Sequence, residues 1–187
     1  SAYDIAGDNT SEAIYFIEQV TGHLIPDMRD VLKDGVKGLK ERIGVQREAE
    51  QNPKKRSYYE AMDISLDAVL VIARRYADLA EEKAAASEGK DKERFRFMAD
   101  TLRKVPENGA ENLYEAIQSF ILMWQVMCLE QTPNPYAFSV GNADRIFEPY
   151  RKMEDTDRDM AAALLKHLLV FYNVADRSWA ISQNLII

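Results

Sequence analysis

The chain's 187 residues can enclose one domain with a real core, and a 47% hydrophobic composition with nine Tyr and seven Met excludes disorder as a description of the whole. A formal net charge of -7, with acids and bases interleaved as in Lys37-Gly38-Leu39-Lys40-Glu41-Arg42, excludes an open nucleic-acid surface. The single cysteine, Cys128, rules out an intrachain disulfide framework and a Cys-rich metal centre, so a reducing, cytoplasmic setting is expected.

No run approaches the ~20 apolar residues of a membrane-spanning helix, so no membrane partner is expected. No basic-then-apolar start reads as a secretory signal. The chain begins Ser1-Ala2 without Met and closes on the apolar run Asn184-Leu185-Ile186-Ile187, so we expect it to be part of a larger polypeptide.

Asn9-Thr10-Ser11-Glu12 carries a capping signature, and Ile14, Ile17 and Val20 follow at helical spacing. Gly22 then closes that helix. Pro26-Asp27 opens a second helix, with Asp27 as cap and Met28, Val31, Leu32, Gly35, Val36, Leu39 and Ile43 as its apolar stripe. Two glycines inside it, Gly35 and Gly38, lower helix propensity and imply close approach of a neighbouring backbone. Asn52-Pro53 is read as its end.

A long third helix is predicted from about Ser57 to Ser87, burying Ala61, Met62, Ser65, Ala68, Val69, Ile72, Ala73, Tyr76, Leu79 and Ala80. A fourth, from about Asp91 to Arg103, buries Phe95, Met98, Ala99 and Leu102 and stops at Pro106. Asn112 and Glu115 cap a fifth helix, whose wide stripe of Leu113, Ala116, Ile117, Phe120, Ile121, Trp124, Met127 and Cys128 implies burial on more than one side.

Thr132-Pro133-Asn134-Pro135 forces a turn, and Tyr136 to Val140 reads as a short strand ended by Gly141. Arg145 to Tyr150 is a short helix or turn. Asp155 or Thr156 caps a last helix with Ala161, Leu164, Leu165, Leu168, Phe171 and Tyr172 inside, and Trp179 to Ile187 reads as a second strand. The fold class is therefore mainly α, about six helices with one or two short strands, over 1–187 as a single helical domain or a fragment of a larger one. Two lone strands do not make a complete sheet.

Motifs for familiar chemistries are missing. The two histidines, His23 and His167, form no metal-ligand pair with each other or with a Glu-x-x-His step. There is no glycine-rich phosphate loop and no nucleophile elbow. Cys128, between Met127 and Leu129, reads as a small hydrophobe. His167 reads as an ordinary histidine beside an apolar stripe. His23 stands in the break before a helix start. It either closes the preceding helix or points into a cavity, where it would hydrogen-bond a hydroxyl or carboxylate.

Several stretches, in chain order, resemble the glycyl radical enzymes, the pyruvate formate-lyase family. They are Gly22-His23 with Pro26-Asp27, Val31-Leu32, Gly35-Val36 and Gly38; Arg75-Tyr76-Ala77 with Leu79-Ala80; and Val105-Pro106. They continue with Leu113-Tyr114-Glu115-Ala116-Ile117-Gln118, then Ser139 with Gly141 and Asp144, then Pro149-Tyr150, and finally Gln183 to Ile187. The resemblance implies the helical N-terminal part of a ten-stranded α/β barrel, ahead of the active-site cysteine loop.

In that family a glycyl radical, installed by a radical SAM activating enzyme, oxidises a cysteine whose thiyl radical takes a hydrogen atom from a small organic substrate. Both loops would lie beyond Ile187, so this chain carries no catalytic residue and no cofactor of its own, and Cys128 falls on the wrong element to be that cysteine. The resemblance places His23, Tyr136 and Ser139 at the substrate cavity. Where diol dehydratases carry His-Ser this chain has Tyr136-Ala137, and Asn142 replaces the usual Arg after the glycine. Both departures remove polar donors and count against diol dehydration. The competing expectation is a non-catalytic helical interaction module, a degenerate relative of the family. Exposed strand edges invite association, so a homodimer is expected in isolation.

Overall fold

A computed structural model of the chain describes residues 24–130, 138–172 and 185–186. Six helices and one pair of strands are found there: α1 (Arg29–Ala49), α2 (Pro53–Ala85), α3 (Gly89–Lys104), α4 (Leu113–Glu130), β1 (Gly141–Asn142), α5 (Ala143–Met153), α6 (Arg158–Tyr172) and β2 (Leu185–Ile186). The mainly helical class expected from the sequence is the one observed. The predicted helix after Asn9 lies outside the described residues.

Helix α1 starts at Arg29 with Met28 at its N-cap position; Asp27, expected as the cap, stands one residue earlier, its Oδ1 accepting from the Arg29 backbone N–H at 3.1 Å. The helix is broken at Gly35, whose φ of 70° and ψ of 174° belong to glycine alone. The segment after α3 fills the break. The Val36 N–H donates to the Pro106 carbonyl at 2.8 Å, the Lys37 N–H to Glu107 at 3.0 Å, and the Ala110 N–H to Leu32 at 2.8 Å. A Cβ on Gly35 would lie 2.5 Å from the Asn108 carbonyl carbon and 2.6 Å from its Cα. The close backbone approach expected at Gly35 is therefore present. At Gly38 it is not, because a Cβ there would meet only the Asp34 side chain of the same helix.

Pro53 does not end a helix; it starts one. Asn52 accepts from the Lys54 N–H at 3.0 Å as the cap of α2, and Pro53 occupies the first turn, where a missing N–H costs nothing. Helix α2 buries Val69, Leu70, Ala73, Ala77, Ala80 and Ala84. The predicted Val69, Ala73 and Ala80 are among them, but Tyr76 and Leu79 are exposed, along with Ala61, Met62, Ser65 and Ala68. This helix packs extensively against α3, which buries Ala99 and Leu102. Arg103 ties the two helices on the outside, bonding Asp78 at 3.1 Å and also Glu81.

Helix α4 is the spine of the core. Its cap is as expected: Asn112 Oδ1 accepts from the Glu115 N–H at 2.9 Å, and Glu115 Oε2 accepts from the Glu111 N–H at 2.9 Å. Leu113, Ala116, Ile117, Phe120, Ile121, Leu122 and Trp124 are all buried, on more than one side of the helix. The rings of Phe120, Trp124, Phe147 and Tyr172 meet beside its middle turns, with Trp124 and Tyr172 stacked at 4.8 Å and 26°.

The expected strand at Tyr136–Val140 is displaced. Residues 138–140 are irregular, and pairing starts at Gly141, which opens β1 instead of ending it; Tyr136 and Ala137 lie outside the described residues. β1 and β2 run parallel, Gly141 opposite Leu185 and Asn142 opposite Ile186. The rest of the second predicted strand is outside the described residues. Helix α6 is capped by Asp157, not by Asp155 or Thr156: Asp157 Oδ1 accepts from the Asp159 and Met160 N–H groups at 2.8 and 3.0 Å. It buries Ala161, Leu168 and Tyr172 and leaves Leu165, Leu169, Val170 and Phe171 exposed. Leu165 and Phe171 had been expected inside.

Candidate functional site

Of the residues expected at the cavity the structure describes Ser139, and three elements hold the segment around it, Phe138-Ser139-Val140. Helix α4 brings Trp124 and helix α6 brings Tyr172 to the same backbone carbonyl. The indole Nε1–H donates to the Phe138 oxygen at 3.0 Å, and the Tyr172 hydroxyl donates to it at 2.9 Å. Both side chains are buried, as is Phe138. Burial of an indole or a phenol requires a partner for its polar end, and one carbonyl with two lone pairs serves both. Burial also raises the Tyr172 pKa well above the ordinary phenol range, which keeps the hydroxyl a donor.

The third hold comes from the chain just before α1. The Ser139 N–H donates to the Leu24 carbonyl at 2.9 Å. Gly141 completes the arrangement: its φ is 78°, and a Cβ there would lie 2.9 Å from Ile25 Cγ2. Leu24 and Ile25 thus lie along residues 139–141. His23, the residue bonded to Leu24, lies outside the described residues, as does Tyr136. Of the three residues that the sequence assigns to the cavity, Ser139 alone can be placed: it is buried.

The remaining candidates fall away from this centre. His167 is exposed on α6, its ring 5.7 Å from Phe171. Cys128 is buried and unpaired, and burial pushes its thiol up to about 12. That fits a small hydrophobe and not a nucleophile. Among the described residues no group of three His, Cys, Asp or Glu side chains could hold a metal ion, and no helix is long and apolar enough to cross a membrane. An apolar cleft of about 550 Å³ lies between α5, α6 and the start of α4, lined by Leu113, Phe147, Leu165, Leu168 and Leu169. Glu148 and Arg151 on its edge are paired with each other at 2.7 Å.

What the geometry shows is a fixed, buried backbone: the Phe138–Ser139 peptide is held at its oxygen by two side-chain donors and at its N–H by Leu24. In the sequence Trp124 and Tyr172 stand only as members of apolar helix stripes. Their donors carried a signal all the same, because a Trp on an apolar helix face must find an acceptor when it is buried.

A helical layer that leads into a pair of parallel strands fits the helical N-terminal part of an α/β barrel. The pyruvate formate lyase-like family profile matches residues 8–182, and the chain belongs to that family. It is 36% identical to isethionate sulfite-lyase of Oleidesulfovibrio alaskensis over 136 residues, which are 68% of this chain and 16% of that protein. It superposes on the glycerol-bound B12-independent glycerol dehydratase of Clostridium butyricum with a TM-score of 0.80 at 24% identity, covering 89% of this chain and 23% of the other. That likeness concerns the fold. Against hydroxyproline dehydratase of Clostridioides difficile, with trans-4-hydroxy-L-proline bound, the TM-score is 0.73 at 27% identity, covering 87% of this chain and 21% of the other. The chain thus spans about a sixth to a quarter of the length of these relatives.

Proposed function

We propose that the chain is the helical front segment of a glycyl radical enzyme, a lyase or dehydratase of a small organic substrate. Within it, His23, Tyr136 and Ser139 would line the substrate pocket. The observation that carries this reading is the family match across residues 8–182. The Ser139–Leu24 hydrogen bond supports the site assignment, since it joins the segment that follows His23 to the segment that follows Tyr136.

The radical chemistry, hydrogen-atom abstraction by a thiyl radical, would be supplied by cysteine and glycyl loops of the parent beyond this chain. This segment would wall the pocket, orient the substrate and keep water from it. A radical SAM activating enzyme is the partner the parent requires, in an anaerobic, cytoplasmic setting, and a homodimer is the expected assembly.

Within the family, the residues favour a substrate other than a plain diol. Tyr136-Ala137 stands where diol dehydratases carry His-Ser, and Asn142 where the family usually carries Arg. The likeness to isethionate sulfite-lyase directs attention to elimination of a sulfite group. The test is to read the parent coding sequence past Ile187 and to assay the activated protein with isethionate, glycerol and trans-4-hydroxy-L-proline. A cysteine loop, a glycyl loop and turnover of one of the three, with isethionate preferred over glycerol, are expected. A frame without either loop would end the enzymatic reading. It would favour the non-catalytic interaction module instead, for which the exposed Leu165, Leu169 and Val170 of α6 offer a face.

A further inference from the structure

We propose that Trp124 and Tyr172 are positioning residues: together they lock the Phe138–Ser139 peptide unit and so set how the Ser139 segment is presented to substrate. The inference rests on the reading of Ser139 as a pocket residue. Its basis is that the two donors and the Leu24 acceptor act on one and the same peptide plane. The Phe138 carbonyl takes the indole N–H at 3.0 Å and the phenol O–H at 2.9 Å, and the Ser139 N–H of that unit gives its hydrogen to Leu24 at 2.9 Å.

A buried peptide unit needs one partner for its oxygen and one for its N–H. Here the oxygen has two, and both come from side chains, 14 and 34 residues away in sequence. A neighbouring strand would ordinarily supply such an acceptor's partner. Because side chains occupy it, residues 138–140 stay outside the ladder and pairing begins only at Gly141. The peptide cannot turn over without breaking three hydrogen bonds in a dry setting, and Ser139 cannot rotate away from the Leu24 segment without doing the same. The stacked rings, 4.8 Å apart, hold the two donors in fixed relation, so the clamp is rigid from its own side as well. Burial alone requires that each polar end find an acceptor, but not that both find the same one.

The test uses the full-length parent protein and the substitution Tyr172→Phe, which keeps the ring and its stacking and removes only the hydroxyl, with its bond to the Phe138 carbonyl and its contact with the Val140 backbone. Trp124→Phe serves as the second variant. Amide hydrogen exchange of fragments covering 138–141 is expected to accelerate about fivefold in Tyr172→Phe, the factor carried by one typical hydrogen bond. Fragments of α4 should be unchanged. In activated enzyme, with isethionate, glycerol and trans-4-hydroxy-L-proline as probes, kcat/KM for the probe that is turned over should fall by a similar factor, chiefly through KM, at unchanged glycyl radical yield. Unchanged exchange at 138–141 in Tyr172→Phe would overturn the clamp, as would local loosening with unaltered kinetics. A wild type that carries no radical, or turns over none of the three probes, would instead overturn the functional reading, and the proposal with it. That failure shows in the unmutated protein and is separate from the others.

Discussion

Gly35→Ala tests the architecture at its tightest point. The backbone at Gly35 has φ 70° and ψ 174°, a region costing a side chain about 1–3 kcal/mol. The new methyl would also run into the Glu107 carbonyl and the Asn108 backbone, which lies 2.5 to 2.6 Å from the Cβ position. Neither obstacle is the end of a flexible side chain, so the 105–112 segment must move. Its three backbone hydrogen bonds to α1, at 2.8, 3.0 and 2.8 Å, stretch or break as it does. Losing two of them adds about 2 kcal/mol, for a total of about 3–5 kcal/mol. For a chain of this size that lowers the melting temperature by roughly 10 °C.

Gly44→Ala on the same helix is the internal control: nothing lies within 4 Å of its Cβ position. It should stabilise by about 0.5–1 kcal/mol through helix propensity. The assay is urea unfolding of both variants followed by helical circular dichroism. If Gly35→Ala proves as stable as the unmutated chain, or moves in the same direction as Gly44→Ala, the close approach of the 105–112 segment to α1 is wrong.

Three further outcomes follow from particular contacts. Asn112→Ala removes the acceptor of the Glu115 N–H and should cost about 1 kcal/mol, while Asn112→Asp should cost much less, as read by the same unfolding assay. Cys128, pushed up to about 12 by burial, should resist a thiol reagent in mildly alkaline buffer and react at once when the chain is unfolded; rapid labelling of the native protein would contradict its placement in the core. Glu148 is held at about 2, below its ordinary 4.5, first of all by the hydrogen bond from Arg151. Its pKa is depressed on folding, so the pairing contributes fully above about pH 4.5 and is lost as pH falls toward about 2. Arg151→Ala should return the Glu148 titration, followed by carboxyl carbon resonance, toward 4.5.

Local signals in the sequence were enough for the helices and for most of their boundaries. The Asn112–Glu115 cap and the wide apolar stripe of α4 are short-range features, and the structure has them. Proline is ambiguous by nature, since it ends one helix as readily as it opens another. Only the Asn52 side chain on the Lys54 N–H decides for opening at Pro53. On α2 the alanines win the core because α3 packs close, and that is why the bulky Tyr76 and Leu79 are left outside. The strand at 136–140 could not be placed correctly from its own residues. Its aromatic, β-branched content does favour pairing, but the Phe138 carbonyl is taken by donors from α4 and α6. The site was legible as motif order and not as geometry. Nothing near Ser139 in sequence announces that its N–H will meet Leu24.

The most direct test of the central claim is electron paramagnetic resonance of the full-length parent protein after anaerobic incubation with its activating enzyme, S-adenosylmethionine and a reductant. Membership of the pyruvate formate lyase-like family over residues 8–182 predicts a stable glycyl radical signal that disappears on exposure to oxygen. The absence of any such signal, under conditions in which an isethionate sulfite-lyase treated alongside acquires one, would contradict the account.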